Sequence, residues 1–400
     1  MTAAMWWLAT VGAHSRAMAD RDQVQGFVAP GYEGVVDAFA RNLAERGEVG
    51  AAFAAVRDGT PVVDLWGGTA RPGTGEPWRS DTLPRIYSGT KALVAVCLLI
   101  LVERGRLDPQ APIATYWPEF AARDKEHITV AEVVSHRARM PGLQAPVTAE
   151  DLLDPVQVAK LLAGQAPETD PRAALVYHAL TYGWLCAELI RRLDGRGTGR
   201  FFAEEVAGPL GLDLWIGLPA AYSDRVAAVV HAPDFGAAAV PGDALAAVAL
   251  ANPPLFGADP LPWNSPRWHH AEIPGAGAIG TPRAVARLFG CLARGGEIDG
   301  VRLLSPDTIA LGAEELARGR DPFFDSPLAF GFGFQVQGES RDLGPVRDAF
   351  GHSGAGGSMH GAWPGVRVGF SYAMNRLLDA DPDPRRKALL DALHAAVSAG

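Results

Sequence analysis

Residues 88–105 read SGTKALVAVCLLILVERG. Positions 92–102 form an unbroken apolar run of eleven residues, and Gly105 stops it. A helix that is apolar on every side belongs at the centre of a core, and eleven residues are too few to cross a bilayer. The helix opens on Ser88-Gly89-Thr90-Lys91. Positions i and i+3 share a helix face, so Ser88 and Lys91 can point at one spot. The free N–H groups of a helix N-terminus can steady an oxyanion there. Burial against the apolar helix would lower the pKa of Lys91 and make it a base, which an arginine cannot become. Lysine is scarce: 36 residues are Lys or Arg, and only Lys91, Lys125, Lys160 and Lys387 are lysines. With 13 serines and four lysines in 400 residues, chance supplies roughly 0.13 SxxK matches. Taken alone, a surface lysine beside an N-cap serine competes with the catalytic reading.

Strand signals flank this helix at both ends of the chain. Residues 50–68 predict a hairpin, AAFAAV and PVVDLW around Arg57-Asp58-Gly59-Thr60, with Asp-Gly as the turn. From 109 to 274 the pattern is mostly helical, with helices predicted over 129–135, 156–162, 180–193 and 199–206. A helix resumes after Thr281. Strands follow over 329–336, 350–354 and 366–375, the last alternating through Val366, Val368, Phe370, Tyr372 and Met374. A closing helix is predicted over 385–397. The expected fold is α+β, an α/β sandwich: one antiparallel sheet built from both chain ends, flanked by helices, with a helical subdomain inserted. The boundaries read as 18–110 with 275–400 for the sheet part and 111–274 for the helical part. The cleft between the two is the natural ligand site.

Composition narrows the function. With 48% hydrophobic and 20% charged residues, the chain is a packed globular protein. A net charge of −9 and no basic block argue against a nucleic-acid partner. Cys97, Cys186 and Cys291 are odd in number and widely spaced, so no disulfide framework or metal pair is expected, and a reducing, cytoplasmic setting fits. Residues 3–13 (AAMWWLATVGA) followed by Ala-Met-Ala at 17–19 resemble a signal peptide only in outline. No Lys or Arg precedes the run, and His14, Ser15 and Arg16 interrupt it. Residues 1–17 are expected to be a loose extension, with Met18 an alternative start. Neither a membrane partner nor a cofactor is expected, and the absence of HExxH and HxHxDH argues against a catalytic metal. GAGAIG at 275–280 matches GxGxxG but lacks the preceding strand of a dinucleotide site; it reads as a tight loop on the cleft wall. GHSGA at 351–355 nearly matches a nucleophile elbow, which makes Ser353 a weak rival nucleophile. His136 and His178 read as structural hydrogen bonders.

Two stretches join SGTK: Tyr177-His178-Ala179, and Gly351-His352-Ser353-Gly354-Ala355. In this order and rough spacing the three resemble the motifs of the serine β-lactamase and penicillin-binding superfamily. More narrowly the chain resembles the class C β-lactamase-like esterases, the family VIII carboxylesterases, from about Gly26 to the C-terminus. LWGG at 65–68, SHRARMPG at 135–142 and MNR at 374–376 agree with this. The resemblance implies that Ser88 is the nucleophile, that Lys91 holds and deprotonates it, and that Tyr177 shares the base role and protonates the leaving group. His352-Ser353-Gly354 would take the place of the family's Lys-Thr-Gly, and the N–H groups of Ser88 and Ala355 would form the oxyanion hole.

The implied activity is ester hydrolysis through an acyl-enzyme on a small ester or acyl substrate; the oligomeric state is left open. The alternative is acyl transfer to an alcohol or amine. A β-lactamase or D,D-peptidase fits less well. The amide-binding Asn of that pattern is Ala179 here, and its carboxylate-binding Lys is His352, a side chain mostly neutral above about pH 7.5. Arg139 stands where relatives often carry a small residue, and nothing in the sequence explains it.

Overall fold

A computed structural model describes residues 24–232, 235–236, 242–257, 260–323, 326–380 and 382–399. The expected extension at 1–17 lies outside them. A ten-stranded antiparallel sheet forms the body. Its labelled strands are β1 (Val24–Val28), β2 (Gly50–Arg57), β3 (Thr60–Arg71), β4 (Ala317–Arg320), β5 (Pro327–Phe330), β6 (Gln335–Val336), β7 (Phe350–Ser353), β8 (Met359–Trp363) and β9 (Val368–Met374). They run in the spatial order β1-β3-β2-β9-β8-β7-β6-β5-β4, with Glu76–Pro77 pairing on β3. Sheet strands thus come from both ends of the chain, with helices inserted between, as the sequence predicts. β9 joins the two sets by pairing with β2 from Val368↔Arg57 to Met374↔Ala51.

The helices that fix the site are α1 (Glu33–Glu45), α2 (Gly89–Glu103), α3 (Thr181–Asp194), α4 (Pro282–Ala293) and α5 (Pro384–Ala399). β9 is buried at every position. Its alternation therefore separates two covered faces instead of core from solvent. The Phe370 side meets Trp363, which also contacts His394 of α5. On the other side Gly369 lies against Gly290 of α4, and Ser371 bonds His360 of β8. α2 approaches that second face, where Gly89 sits against the His360 ring. From Gly89 to Leu101 every residue of α2 is buried, which is the central helix its composition calls for.

Three expectations need correction. The predicted strand 329–336 breaks into β5 and β6, because Gly333 takes φ +82° and its Cα packs on Ala95 and the Tyr182 hydroxyl. A side chain there would strain the backbone and collide with α2 and α3. β9 starts at Val368, after Arg367 turns at φ +52°. The helix expected over 199–206 is α-helical only over Thr198–Phe202 and continues as a π-helical turn over Ala203–Ala207. The sequence reading missed β1, β4 and β8. β8 reads MHGAW, with Gly361 breaking the β-prone run. The three cysteines are free and buried, and no helix among the described residues is long and apolar enough to cross a membrane.

Candidate active site

Ser88 caps the N-terminus of α2 with helical angles, φ −63° and ψ −12°. The residue before it, Tyr87, is buried and held at φ +45°. A bulky residue in that region is strained and needs its surroundings to fix it. Tyr87 packs edge-on against Trp263, ring centroids 5.4 Å apart. The bend leaves the Ser88 side chain partly exposed, whereas Lys91 one turn later is fully buried.

Lys91 Nζ lies 3.2 Å from Ser88 Oγ and donates to the carbonyls of Ala179 at 2.7 Å and Gly275 at 2.8 Å. All three partners are uncharged, and among the described residues no carboxylate faces the amine. Burial therefore dominates and holds the Lys91 pKa well below the ordinary lysine value. Gly275 is the first residue of the GAGAIG loop. The loop packs on α3 through Gly183, where a Cβ would lie 2.1 Å from the Gly275 nitrogen. It binds α2 through Ala278 N–H to Thr90 Oγ1 at 2.9 Å, and Arg85 holds the Gly277 carbonyl at 3.1 Å. The segment that imitates a phosphate loop is a scaffold for the amine.

Tyr177 is half-buried, with its ring centroid 4.7 Å from Lys91 Nζ. Burial pushes the phenol pKa up, and a hydrogen bond with Ser88 draws it partly back. Ser88, Lys91 and Tyr177 thus converge from two elements. His136 and His178 support the segment from behind. His178 Nδ1 meets the Val176 carbonyl at 2.6 Å while Nε2 accepts from Met140 N–H at 3.1 Å. His136 Nδ1 accepts from His178 N–H at 3.0 Å. Arg139 acquires its reason here. At φ +58° it donates to the Glu168 carbonyl at 3.0 Å and the Asp170 carbonyl at 3.2 Å, and its own carbonyl accepts from Glu168 N–H at 2.8 Å. It clasps the strand of chain that leads into Tyr177.

The end of β7 closes the other side. Gly354 packs directly on the Ile86 carbonyl, where a Cβ would lie 2.5 Å from the oxygen. This brings the turn Gly354–Gly357 beside the Ser88 bend. Among the described residues, neither the Ser88 N–H nor the Ala355 N–H donates to a protein acceptor. Ser353 is held through its backbone by Gln335 Oε1 at 2.7 Å, and no base is bonded to its hydroxyl. His352 is buried, with Nδ1 2.7 Å from the Ser353 carbonyl. That contact fixes the proton on Nδ1 and leaves Nε2 as a buried acceptor without a partner. Burial, aided by the charge of Lys91, lowers the His352 pKa to about 3. The imidazole is therefore neutral throughout the working range, further from titration than its type alone suggests.

The other rare buried lysine, Lys125, is a staple: its amine meets the carbonyls of Ala122, Ala163 and Gln165. Among the described residues no group of three or more His, Cys, Asp and Glu side chains is placed to hold a metal ion. Residue reading missed the carbonyls of Ala179 and Gly275, because a backbone acceptor leaves no mark in the sequence.

A sheet built from both chain ends, a helical insertion and an SxxK serine on the central helix define a hydrolase of the esterase and β-lactamase kind. The chain belongs to the Beta-lactamase family, whose pattern matches residues 35–395. It is 36% identical over 382 residues to the esterase/beta-lactamase LipL of Mycobacterium tuberculosis (strain ATCC 25618 / H37Rv), covering 92% of this chain and 88% of LipL. Two solved structures align along nearly the whole chain. A penicillin-binding protein homologue from Caulobacter crescentus is 37% identical with a TM-score of 0.86, covering 93% of this chain and 99% of that one. A family VIII carboxylesterase is 38% identical with a TM-score of 0.85 and the same coverage.

Proposed function

We propose that the protein cleaves neutral carboxylic esters through an acyl-enzyme on Ser88. The observation that carries this reading is the buried amine of Lys91, bonded to Ser88 Oγ and to two carbonyls, with no acid among the described residues beside it. A neutral amine has two N–H bonds and one lone pair. The carbonyls of Ala179 and Gly275 take the two N–H bonds, so the lone pair is left for the Ser88 hydroxyl. Lys91 then accepts the hydroxyl proton as Oγ bonds the ester carbonyl carbon. The carbonyl oxygen takes up the negative charge, and the unpaired N–H groups of Ser88 and Ala355 receive it. Collapse expels the alkoxide, which leaves as the alcohol with a proton passed through Tyr177. Water repeats the sequence on the acyl-enzyme and releases the acid.

The cleft wall favours neutral substrates. His352 is buried and uncharged where the family's pattern has a lysine, and Ala179 offers no side-chain amide. Without that amide, an amide substrate would leave polar groups in the cleft without hydrogen bonds, a loss that a plain ester does not incur.

The test compares kcat/KM for p-nitrophenyl butyrate and for nitrocefin on one preparation at pH 7.5. The ester is expected to be preferred by roughly 100-fold or more, about 3 kcal/mol of transition-state binding. His352→Lys should move the ratio toward the anionic lactam. A wild-type preference for nitrocefin would overturn this reading of His352 and Ala179. Adding methanol or a primary amine and analysing the products separates hydrolysis from acyl transfer, since only a transferase diverts most of the acyl group to the added nucleophile.

A further inference from the structure

Behind the turn that follows β7 lies a charged cluster, on the face of the sheet away from Ser88. Its centre is Arg385, in the first turn of α5, whose side chain is 0% exposed. The guanidinium donates to Glu48 Oε1 at 3.1 Å, Asp383 Oδ2 at 2.7 Å, the Arg376 carbonyl at 2.9 Å and the Gly356 carbonyl at 2.6 Å. The second oxygen of Glu48 accepts from the Tyr372 hydroxyl at the end of β9. Asn42 of α1 donates to the Arg385 carbonyl at 3.1 Å. The end of β9, the starts of β2 and α5, and the β7–β8 turn are thus tied at one point.

The turn itself cannot relax freely. Gly356 and Gly357 have φ of +78° and +119°. A Cβ on Gly357 would lie 2.0 Å from Asp383 Oδ2, and one on Gly356 would lie 2.5 Å from the Leu377 backbone. Leu378 N–H adds a second bond to the Gly356 carbonyl at 3.2 Å. The Gly356 carbonyl lies in the 356–357 peptide, two peptide planes beyond the one that carries the Ala355 N–H, so holding it anchors the far end of the short turn in which that N–H sits. A buried ion pair is not in itself a strong source of stability, and well-packed apolar groups of the same volume often do as well. What apolar groups cannot supply is a directed bond to the Gly356 carbonyl.

We propose that Arg385 is a positioning residue: by clamping the Gly356 carbonyl it aims the Ala355 N–H at the oxyanion formed on Ser88. The clamp works from the far face of the sheet and touches neither substrate nor nucleophile. The inference rests on the Ser88 acyl-enzyme reading given above for its kinetic consequence, but not for the clamp itself.

The test uses the full chain with Arg385→Lys and Glu48→Gln, and Leu389→Ala as a control. Leu389 is a buried core residue of α5 whose apolar side chain can form no hydrogen bond to the turn. Each variant is measured for kcat and KM with p-nitrophenyl butyrate, for melting temperature, and for amide hydrogen exchange by mass spectrometry. Removing an oxyanion donor costs roughly 10²–10³-fold in kcat, so a misaimed one should cost about 10- to 100-fold. Arg385→Lys is expected to show that loss in kcat with KM nearly unchanged, and faster exchange confined to residues 354–358. Glu48→Gln should show a smaller change of the same kind. Leu389→Ala should lower the melting temperature at least as much and leave kcat unaltered. The proposal is overturned if Arg385→Lys keeps its kcat, if the loss tracks melting temperature across all three variants, or if exchange at 354–358 does not change. Faster exchange at 354–358 in a protein with no Ser88-dependent turnover would keep the clamp and sink the hydrolase reading.

Discussion

Lys91→Arg is expected to lose on the order of 10³-fold in kcat/KM for p-nitrophenyl butyrate and to be nearly as inactive as Lys91→Ala. The arginine keeps the positive charge and most of the length, so a residue needed only as a cation would tolerate it. A guanidinium cannot give up its proton in a protein. It also carries a planar fork of donors into a pocket built for one nitrogen, where the carbonyls of Ala179 and Gly275 lie 2.7 and 2.8 Å from Nζ. General-base loss alone removes about 10²–10⁴-fold. An arginine variant retaining more than about a tenth of the rate would sink the base assignment. The same burial sets a pH signature. Burial holds the folded pKa of Lys91 well below its unfolded value of 10.5, so between the two values the unfolded chain binds a proton that the folded chain does not. Lys91 therefore subtracts from stability at neutral pH, and stability rises with pH up to the unfolded pKa. Lys91→Met, similar in volume and always neutral, should melt at a higher temperature than the wild type at pH 7 while being inactive.

Ser88→Ala should reduce ester hydrolysis by roughly 10⁴- to 10⁶-fold, the range seen when a serine nucleophile is removed from an intact site. The loss should fall on kcat, because the methyl group leaves the cleft walls in place and the substrate still binds. Intact mass after mixing wild type with a serine-reactive phosphonate should show one adduct, and peptide mapping should place it on Ser88. The alanine variant should show none. An adduct on Ser353 would move the nucleophile to the end of β7. The geometry argues against that, since Ser353 has its backbone tied to Gln335 and no amine or imidazole bonded to its hydroxyl.

The fold was legible because its two periodicities sit in different parts of the chain. β2 and β3 announce themselves by an Asp-Gly turn between β-prone runs, and α2 by an unbroken apolar run of eleven residues. β8 escaped because His360 and Gly361 interrupt its pattern; the imidazole is buried by bonding Ser371 across the strands. Gly333, which breaks β5 from β6, carries no hydrophobic signal at all. For the site, Ser88, Lys91 and Tyr177 were readable as side chains with a shared chemistry. Their positioning was not, because it depends on carbonyls at 179 and 275 and on turns at Tyr87 and Arg139 with positive φ. Such features follow from tertiary packing, which no local pattern encodes. Arg385 was hidden for the same reason: a charge in a terminal helix reads as solvated surface until the sheet closes over it.

The distribution of the four lysines has a practical side. Lys91 and Lys125 are fully buried, whereas Lys160 and Lys387 are exposed. Reagents that couple to side-chain amines thus meet two handles, one on the helix Pro155–Gly164 and one on α5. Tethering to an amine-reactive resin would hold the protein in few orientations and leave the buried amine beside Ser88 unmodified. Burial withholds the Lys91 amine from added electrophiles while leaving it 3.2 Å from Ser88 Oγ.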